Sequence, residues 1–303
     1  MLSRWRRASL RVRLLVQLLI SFGVILAAFL FISIKEIDNS TQQALQERQL
    51  VAQLMAERAD NQMSYAQRVL ENAIQDPDMD LDDGDLEPEK KLLQGVFEHS
   101  SLFKRVLLMN SSGIVTWLAP YTPDATRLIG VDMAAAPYNI PFSGATQPFF
   151  YEMLGVRTQT PGIALLLPIR SPKGGTAGYL SGWIDTADPR AQPLYFPYDP
   201  RSGVADLVNA RGMILVSTQD DRVGQVNDHN GYFGTLIRNK QATVGGCHSC
   251  HTTLATERQS DVLAFAPLNK FSWGVALRQP ESEVLAPTRA LTLGLMEIGR
   301  AHV

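Results

Sequence analysis

The feature that most constrains this chain is an uncharged run of 21 residues near its start, residues 14–34. As a helix rising about 1.5 Å per residue, the run would span roughly 31 Å, the thickness of a bilayer core. Arginines precede it, and Lys35, Glu36 and Asp38 follow it. Because basic residues stay on the cytoplasmic side, the pattern predicts that everything after residue 35 lies outside the cytoplasm.

The alternative to a membrane anchor is a cleaved signal peptide. Signal peptides have a shorter apolar region of about 7–15 residues that ends at small residues. No such site follows Ile34, so the sequence favours an uncleaved anchor. The expected location is a bacterial inner (plasma) membrane, with the remainder of the chain periplasmic or extracellular.

Residues 37–75 carry apolar side chains at steps of three and four without Pro or Gly, which predicts one long helix continuing from the membrane. Its apolar stripe needs a partner, which is either the following domain or a second copy of the chain. We therefore expect a homodimer through this stalk helix. The acidic segment 76–89 has Asp78, Asp80, Asp82 and Glu89 at calcium-loop positions, but Asp83 stands where the loop needs glycine, which favours a solvated loop.

Strand-rich sequence follows, and its motifs occur twice. A strand, a tight turn and a strand surround Asn110-Ser111-Ser112-Gly113, and the same pattern surrounds Asn209-Ala210-Arg211-Gly212, 99 residues later. Further pairs in the same order are Gly130 with Gly224, Pro168 with Pro267, and Gly178-Tyr179 with Gly274-Val275. The spacing is that of a domain, so the chain is expected to hold two modules in series.

These patterns predict a division of the chain into seven segments. They are a basic cytoplasmic N-terminus (1–13), a transmembrane helix (14–34), a stalk helix (35–75), a membrane-distal module (76–188), a proline-rich linker (189–203), a membrane-proximal module (204–280), and an exit helix that leads into the start of a second transmembrane helix (281–303).

This order resembles a double Cache domain, the extracellular sensor of many bacterial receptors. The resemblance rests on the two Asn-x-x-Gly hairpins, on "RLIG" and "DRVG", on "LLLPIRSPKGGTAGYLSGWID" and on "VLAFAPLNKFSWGVALRQPESEVLAP". It implies an α+β fold: a long N-terminal membrane-anchored helix plus two PAS-like antiparallel-sheet (Cache) modules in tandem. It also implies a small-molecule pocket in the membrane-distal module.

The candidate ligand residues in that module are Asp185, Tyr138 and Trp183. In amino-acid-binding members of the family, an Arg-x-Trp patch and a late Asp clamp the ligand. Asp185 could be that late Asp, although no partner cation is evident from the sequence and a lone Asp after a strand is often a turn residue. Aromatic residues near Tyr138 could line an apolar pocket or belong to the core.

The only two cysteines lie in Cys247-His248-Ser249-Cys250-His251. The pattern C-x-x-C-H is the attachment signature of c-type haem, in which both thiols bond to the vinyl groups and the histidine binds the iron. We therefore expect one covalent haem c, held by thioethers to Cys247 and Cys250 with His251 as axial ligand. His229 is the best candidate for a sixth ligand. The motif is expected in a loop of the membrane-proximal module.

Two other interpretations of the motif stay open. A redox disulfide usually sits in a thioredoxin-like βαβ context, which is missing from the sequence. A zinc site would need a fourth ligand besides Cys247, Cys250 and His251, and His248 or His229 would have to supply it.

The expected function is the sensor region of a transmembrane signalling receptor: a chemoreceptor, a histidine kinase or a diguanylate cyclase. The stimulus would be a small molecule, or a gas or redox change at the haem. The alternatives are an anchored monohaem cytochrome for electron transfer and a plain Cache receptor with a disulfide. The sequence offers no hydrolase or nucleotide-binding motif, and its net charge of −2 suggests no nucleic-acid partner, so the chain is not expected to be an enzyme.

Overall fold

The computed structural model describes residues 10–100, 102–142, 145–153, 162–185, 203–226, 231–248 and 260–300. Helix α1, Leu10–Ile74, runs without a break through both the predicted membrane segment and the predicted stalk. It is the one helix in the described part of the chain that is long and apolar enough to cross a membrane. Its large apolar side chains from Leu14 to Ile34 are exposed, as lipid-facing side chains would be.

The first sheet has five antiparallel strands in the order β2-β1-β5-β4-β3. A short helix α2, Glu87–His99, precedes it and packs on α1, β1 and β2. The strands are β1 (Arg105–Asn110), β2 (Val115–Ala119), β3 (Phe149–Met153), β4 (Gly162–Arg170) and β5 (Thr176–Asp185).

The second sheet repeats the same topology, β7-β6-β10-β9-β8. Helix α3, Tyr232–Arg238, covers one face, and helices α4, Glu281–Val284, and α5, Ala286–Arg300, follow the last strand. The strands are β6 (Val204–Asn209), β7 (Ile214–Ser217), β8 (Thr243–His248), β9 (Ser260–Pro267) and β10 (Trp273–Pro280).

The two Asn-x-x-Gly hairpins have the same hydrogen bonds. Asn110 Oδ1 accepts bonds from the amides of Ser112 and Ile114, each 3.0 Å long. Asn209 Oδ1 accepts the corresponding bonds from Arg211 and Met213 at 2.8 and 2.9 Å. Gly113 and Gly212 both have a left-handed backbone, with φ of 84° and 75°, which glycine adopts without strain. The repeated motif thus forms the same turn in both modules.

The strand register refines one of the sequence matches. Asn110 pairs with Gly178, and Asn209 pairs with Trp273, so Gly178 corresponds to Trp273 and Tyr179 to Gly274. The sequence match of Gly178 with Gly274 is therefore one residue out of register. It is wrong because glycine serves different contacts in the two copies: a Cβ at residue 178 would collide with the Met109 carbonyl, and one at residue 274 with the Phe265 ring.

Helix α1 holds the two modules together. One continuous apolar core joins α1 residues from Ala52 to Ala73 to one face of each sheet. Small residues such as Ala52, Ala59 and Ala66 are fully buried, which lets the helix backbone approach the sheets closely. The opposite face of each sheet is free of α1 and carries its own smaller core.

Candidate functional site

The two modules differ in how they use the sheet face that points away from α1. In the second module α3 fills this face, and Phe233 stacks on Phe265 with 5.0 Å between ring centroids. Asp206, which is fully buried, bonds Arg222 Nη2 at 2.7 Å and Ser217 Oγ at 2.7 Å. A helix, an aromatic stack and an ion pair therefore close the face of the second module.

In the first module a loop instead of a helix covers the equivalent face, and a cavity lies beneath it. The space measures about 10 Å³, which is room for roughly one water molecule. Its lining is mostly apolar and includes a few side chains with polar groups: Leu107, Met109, Met133, Tyr138, Ile140, Ser181 and Trp183. This composition is typical of a small-molecule pocket.

The covering loop is held by backbone bonds and by one tyrosine. Ile140 N donates to Met133 O at 3.0 Å, which closes the loop on itself. The Tyr151 hydroxyl, on β3, donates to the carbonyls of Tyr138 and Asn139 at 2.9 and 3.1 Å. Asn139 has φ of 50°, a left-handed conformation that asparagine tolerates better than most residues. These contacts place Met133, Tyr138 and Ile140 over the sheet.

The indole of Trp183 forms one wall of the cavity, and its Nε1 is buried without a hydrogen-bond partner. Buried polar groups in proteins almost always have a partner, so an unpaired donor beside a cavity is informative. The ring lies over Gly162, where a Cβ would collide with Nε1. Glycine at position 162 thus makes room for the indole.

The guanidinium of Arg105 lies over the Trp183 ring, with Cζ 5.2 Å from the ring centroid. Arg105 and Trp183 are directly opposite each other on β1 and β5. Arg105 is not evident as a site residue from the sequence, because 78 residues separate it from Trp183 and only the strand register brings the two together. A positive charge therefore lies over the ring of the indole whose Nε1 is unpaired.

The structure brings two of the three predicted ligand residues together. Tyr138 and Trp183 both line the cavity. Asp185 ends β5 in register with Gly162, and its side chain lies outside the described residues. The ligand role of all three stays a prediction.

The C-x-x-C-H motif begins in a strand. Cys247 and His248 are the last residues of β8, paired with Asp261 and Ser260 of β9, so the expectation that the whole motif lies in a loop is wrong for these two residues. They extend β8 because β9 offers an unpaired edge for the backbone. Cys250, His251 and His229 lie outside the described residues.

The backbone of β8 is open to approach at its two glycines, Gly245 and Gly246. A Cβ on Gly245 or Gly246 would meet no atom within 4 Å, so a bulky group could approach the backbone just before Cys247. Burial raises the pKa of the neighbouring Asp261 carboxyl, while the charge of Arg278 acts in the opposite direction. Open backbone beside the first cysteine is compatible with a macrocycle there.

The acidic segment does not form a preassembled cation site among the described residues. No group of three or more His, Cys, Asp or Glu side chains there could hold a metal ion. Instead, Asp76, Asp80, Asp83 and Asp85 each accept a hydrogen bond from the amide two residues ahead. Of the residues at calcium-loop positions, Asp80 is thus used in a local turn, Asp82 accepts a bond from the Ser171 hydroxyl, and Glu89 accepts one from the Asp80 amide.

Solved structures with the same architecture include several sensor domains. The extracellular domain of a protein assigned as a histidine kinase has a TM-score of 0.61 and 13% identity, over 78% of this chain and 94% of that one. The ligand-binding domain of the Pseudomonas aeruginosa amino acid chemoreceptor PctB, in complex with L-Arg, has a TM-score of 0.57 and 16% identity, over 81% and 98%. That of the Pseudomonas fluorescens chemoreceptor CtaA, in complex with L-isoleucine, has a TM-score of 0.57 and 15% identity, over 83% and 98%.

No family model matches the chain, and the comparison with curated proteins gives no match. At these low identities the similarity to solved structures establishes the fold. The α+β architecture of a long N-terminal helix followed by two tandem PAS-like Cache modules, predicted from the sequence, is thereby confirmed.

Proposed function

We propose that this chain is the extracytoplasmic sensor region of a bacterial transmembrane signalling receptor, and that its membrane-distal module binds a small molecule. The observation that carries the proposal is the asymmetry between the two modules. One sheet face is closed by a helix and a buried ion pair, while its counterpart keeps a cavity walled by Tyr138 and Trp183. The fold shared with chemoreceptor and histidine-kinase sensor domains agrees with this role.

Signal transfer would use the helix that both modules share. A ligand that binds one arrangement of the distal module more tightly shifts the equilibrium toward that arrangement. Because α1 packs on both sheets and continues into the membrane segment, a change in its packing would reach the cytoplasmic side. The receiving domain would be that of a chemoreceptor, a histidine kinase or a diguanylate cyclase.

The stalk also offers a surface for a second copy of the chain. Leu50, Leu54 and Tyr65 of α1 point outward with 57%, 65% and 44% of their surface exposed. Apolar side chains along one side of a helix are a common basis for helix pairing. A homodimer through α1 would cover them.

A thermal-shift screen tests the small-molecule assignment. The full-length chain in lipid nanodiscs would be heated with amino acids, short organic acids, amines and sugars. We expect at least one compound to raise Tm in the wild type and in the control Tyr232→Ala, but not in Tyr138→Ala. Tyr232 is a half-exposed tyrosine of the second module. A compound that stabilises Tyr138→Ala equally, or a complete lack of stabilisers, would contradict the proposal.

We further propose that Cys247, Cys250 and His251 hold one covalent haem c, which gives the receptor a redox or gas response. The compartment favours it, since haem c is attached outside the cytoplasm, where the charge pattern around α1 places this segment. The open backbone of Gly245 and Gly246 leaves space for the group. When bound, haem supplies iron chemistry; the chain's own contribution is two thioether bonds and one imidazole ligand.

Expression with a bacterial cytochrome c maturation system tests the haem. The expected product is a chain that still carries one haem after denaturation, which shows that the bond is covalent. The variants Cys247→Ser and Cys250→Ser should each lose this haem. His251→Ala should keep the covalent bonds but change the absorption spectrum, whereas the control His248→Ala should not. A chain that lacks haem and has a Cys247–Cys250 disulfide would overturn this part and leave the small-molecule sensor intact.

Carbon monoxide separates the sensor from the electron carrier. A sensor with an open coordination position should shift its Soret band when CO is added to the reduced protein. A six-coordinate cytochrome with a firmly bound sixth ligand such as His229 should show no shift. The second result would favour the anchored cytochrome over a gas sensor.

A further inference from the structure

We propose that the haem attached at Cys247 packs on the face of the second sheet that carries α3, with Leu263 beneath it and the Arg278 guanidinium beside its propionates. The inference rests on the proposed haem and adds the surface that holds it. It starts from the backbone position of Cys247, which is paired with Asp261 on β9. Paired residues on antiparallel strands belong to the same face of a sheet, and so does every second residue along a strand.

The strand register assigns Cys247 to the α3 face, the face on which α3 packs. Asp261 and Leu263 are two residues apart on β9, and Leu263 packs against the core that α3 forms with the sheet. On β8, Val244 packs against the other core, which includes α1, and it is three residues from Cys247. Because an odd number of steps along a strand changes the face, both strands give the same result.

The part of the α3 face next to Cys247 can accept an apolar ring. The core under α3 includes Phe265, which is fully buried, and has Leu263, which is only partly buried, at its margin. Gly245 is paired with Leu263, and a Cβ there would meet no described atom within 4 Å. An aliphatic side chain beside a glycine forms a shallow apolar surface, and this one lies about 7 Å along the strands from Cys247, the length of two residues.

The first module provides an internal comparison for this end of the sheet. In the register of its strands, Tyr151 and Trp183 occupy the positions that Gly245 and Arg278 occupy in the second module. Tyr151 and Trp183 both pack against the core of the first module on the face away from α1. In the second module, open backbone replaces one of these aromatic side chains and a cation replaces the other, which leaves room for a planar group with negative charges.

Arg278 lies where the negative charges of the haem would be. It is in register with Leu263 and Gly245, two strands from β8, so its backbone lies roughly 10 Å from that of Gly245. Burial raises the pKa of the Asp261 carboxyl and the charge of Arg278 lowers it, so this charge reaches the position opposite Cys247. Haem carries its two propionates on the edge opposite the vinyl groups. A ring bonded to Cys247 therefore extends its carboxylates across the strands toward a guanidinium, whose planar N–H groups match carboxylate oxygens.

Methyl NMR of the full-length chain in nanodiscs tests the face directly. The chain expressed with the cytochrome c maturation system is compared with the haem-free double variant Cys247→Ser, Cys250→Ser. We expect the haem to shift the Leu263 methyl signals more than those of Val262, the adjacent residue on the opposite face, because shifts caused by a haem fall steeply with distance. The signals are assigned from Leu263→Ile and Val262→Ile.

A matched pair of glycine variants gives a second readout. The haem should raise Tm of the wild type relative to the haem-free chain, because the ring covers apolar surface. Gly245→Tyr places on the α3 face the side chain that the first module has there, and should lose this gain. Gly246→Tyr adds the same side chain at an equally open position on the opposite face, and should keep it.

A matched pair of arginine variants tests the contact with the propionates. Arg278→Gln should lower the reduction potential of the haem, because a nearby positive charge favours the reduced iron. The control is Arg238→Gln on α3. Arg278 pairs with Val204 at the start of β6, whereas the exposed Arg238 lies near Ala210, just past the end of that strand. The control should leave the potential unchanged.

The outcomes separate this inference from the proposal it rests on. If the Val262 signals shift as much as those of Leu263, or if Gly245→Tyr keeps the gain in Tm, the assigned surface is wrong while the covalent haem stands. If Arg278→Gln has the same potential as Arg238→Gln, the contact with the propionates is overturned. A chain that carries no haem after denaturation removes both the proposed haem and the surface assigned to it.

Discussion

Glu89 is a buried carboxyl whose surroundings disfavour its charged form. Its side chain is buried, Oε1 accepts a bond from the Asp80 amide at 3.1 Å, and Oε2 has no partner. Burial raises the pKa of this carboxyl, the bonds from backbone amides lower it, and the nearby charges of Asp83 and Asp85 raise it further. The folded chain therefore holds the Glu89 proton to a higher pH than the unfolded chain does.

This shift predicts a pH-dependent gain from Glu89→Gln. Between the unfolded and the folded pKa the folded state binds more protons than the unfolded state, so wild-type stability falls as pH rises through this window. The amide avoids that loss. At neutral pH we expect Glu89→Gln to raise Tm by about 2 °C, given that 1 kcal/mol corresponds to roughly 2–4 °C at this size.

Thermal melts at pH 4 and pH 7 check the sign. The gain should be present at pH 7 and shrink at pH 4, where Glu89 is largely protonated in both states because its ordinary pKa is 4.5. The control Glu98→Gln changes an exposed carboxyl of the same helix and should not produce this pattern. Equal gains at both pH values would show that something other than the Glu89 charge is responsible.

At the scale of elements, Asp60 attaches helix α1 to the turn between β9 and β10. The carboxylate is buried and accepts bonds from the Asn269 amide at 2.6 Å and the Lys270 amide at 3.2 Å. The Lys270 ammonium reaches Ser64 Oγ, one helical turn further along α1, at 3.0 Å. One side chain thus satisfies two backbone donors that the turn leaves unpaired.

Removal of this attachment should destabilise the second module. Asp60→Ala leaves the two amides without an acceptor, at a cost of roughly 1–3 kcal/mol. Asp60→Asn keeps one acceptor oxygen and should cost less. Urea unfolding of the full chain measures the difference, with the exposed Asp124→Ala as the control. A loss no larger for Asp60→Ala than for Asp124→Ala would contradict the assigned role.

At the scale of the whole molecule, strand β3 joins the first module to the second module. Phe150 packs edge-on against Phe271 and Trp273, with centroid distances of 4.9 and 5.3 Å. Glu152 accepts bonds from Asn209 Nδ2 and Arg211 Nη2, both at 2.6 Å. Tyr151, between them, holds the loop over the cavity. The strand that secures the loop is therefore also the strand that contacts the neighbouring module.

The duplicated turns make this contact measurable. Asn110 and Asn209 stabilise equivalent turns, and of these two asparagines it is Asn209 whose side chain also donates to Glu152. We expect Asn209→Ala to cost about 1.5–3 kcal/mol more than Asn110→Ala, the worth of one hydrogen bond to a charged group. In a Glu152→Ala background the excess should disappear. If Asn209→Ala still costs more than Asn110→Ala in the Glu152→Ala background, the extra cost comes from the turn and not from the bond to Glu152.

Much of the architecture was predictable because it depends on local patterns. The uncharged run, the stalk periodicity and the repeated Asn-x-x-Gly turns each involve residues close in sequence, so composition and spacing are sufficient. The sequence match at Gly178 is one residue out of register because glycine is needed there to avoid a collision with a neighbouring strand. Strand register depends on such contacts, which lie far apart in the chain.

The candidate site divides in the same way. Tyr138 and Trp183 can be identified from the sequence as aromatic residues of the first module, whereas Arg105 cannot, because cross-strand pairing alone places it over the indole. The sequence also did not predict that α3 closes one sheet face of the second module, since Phe233 and Phe265 meet only through the packing of α3 on the sheet.

The sequence by itself determined a membrane-spanning helix, a tandem α+β architecture and a C-x-x-C-H motif, because hydrophobicity, helical period and turn chemistry act within a few residues. Only the tertiary structure decided which of two similar modules keeps a cavity and which charge stands beside it. Those properties arise from side chains on different strands, and the folded chain brings them within a few ångströms of each other.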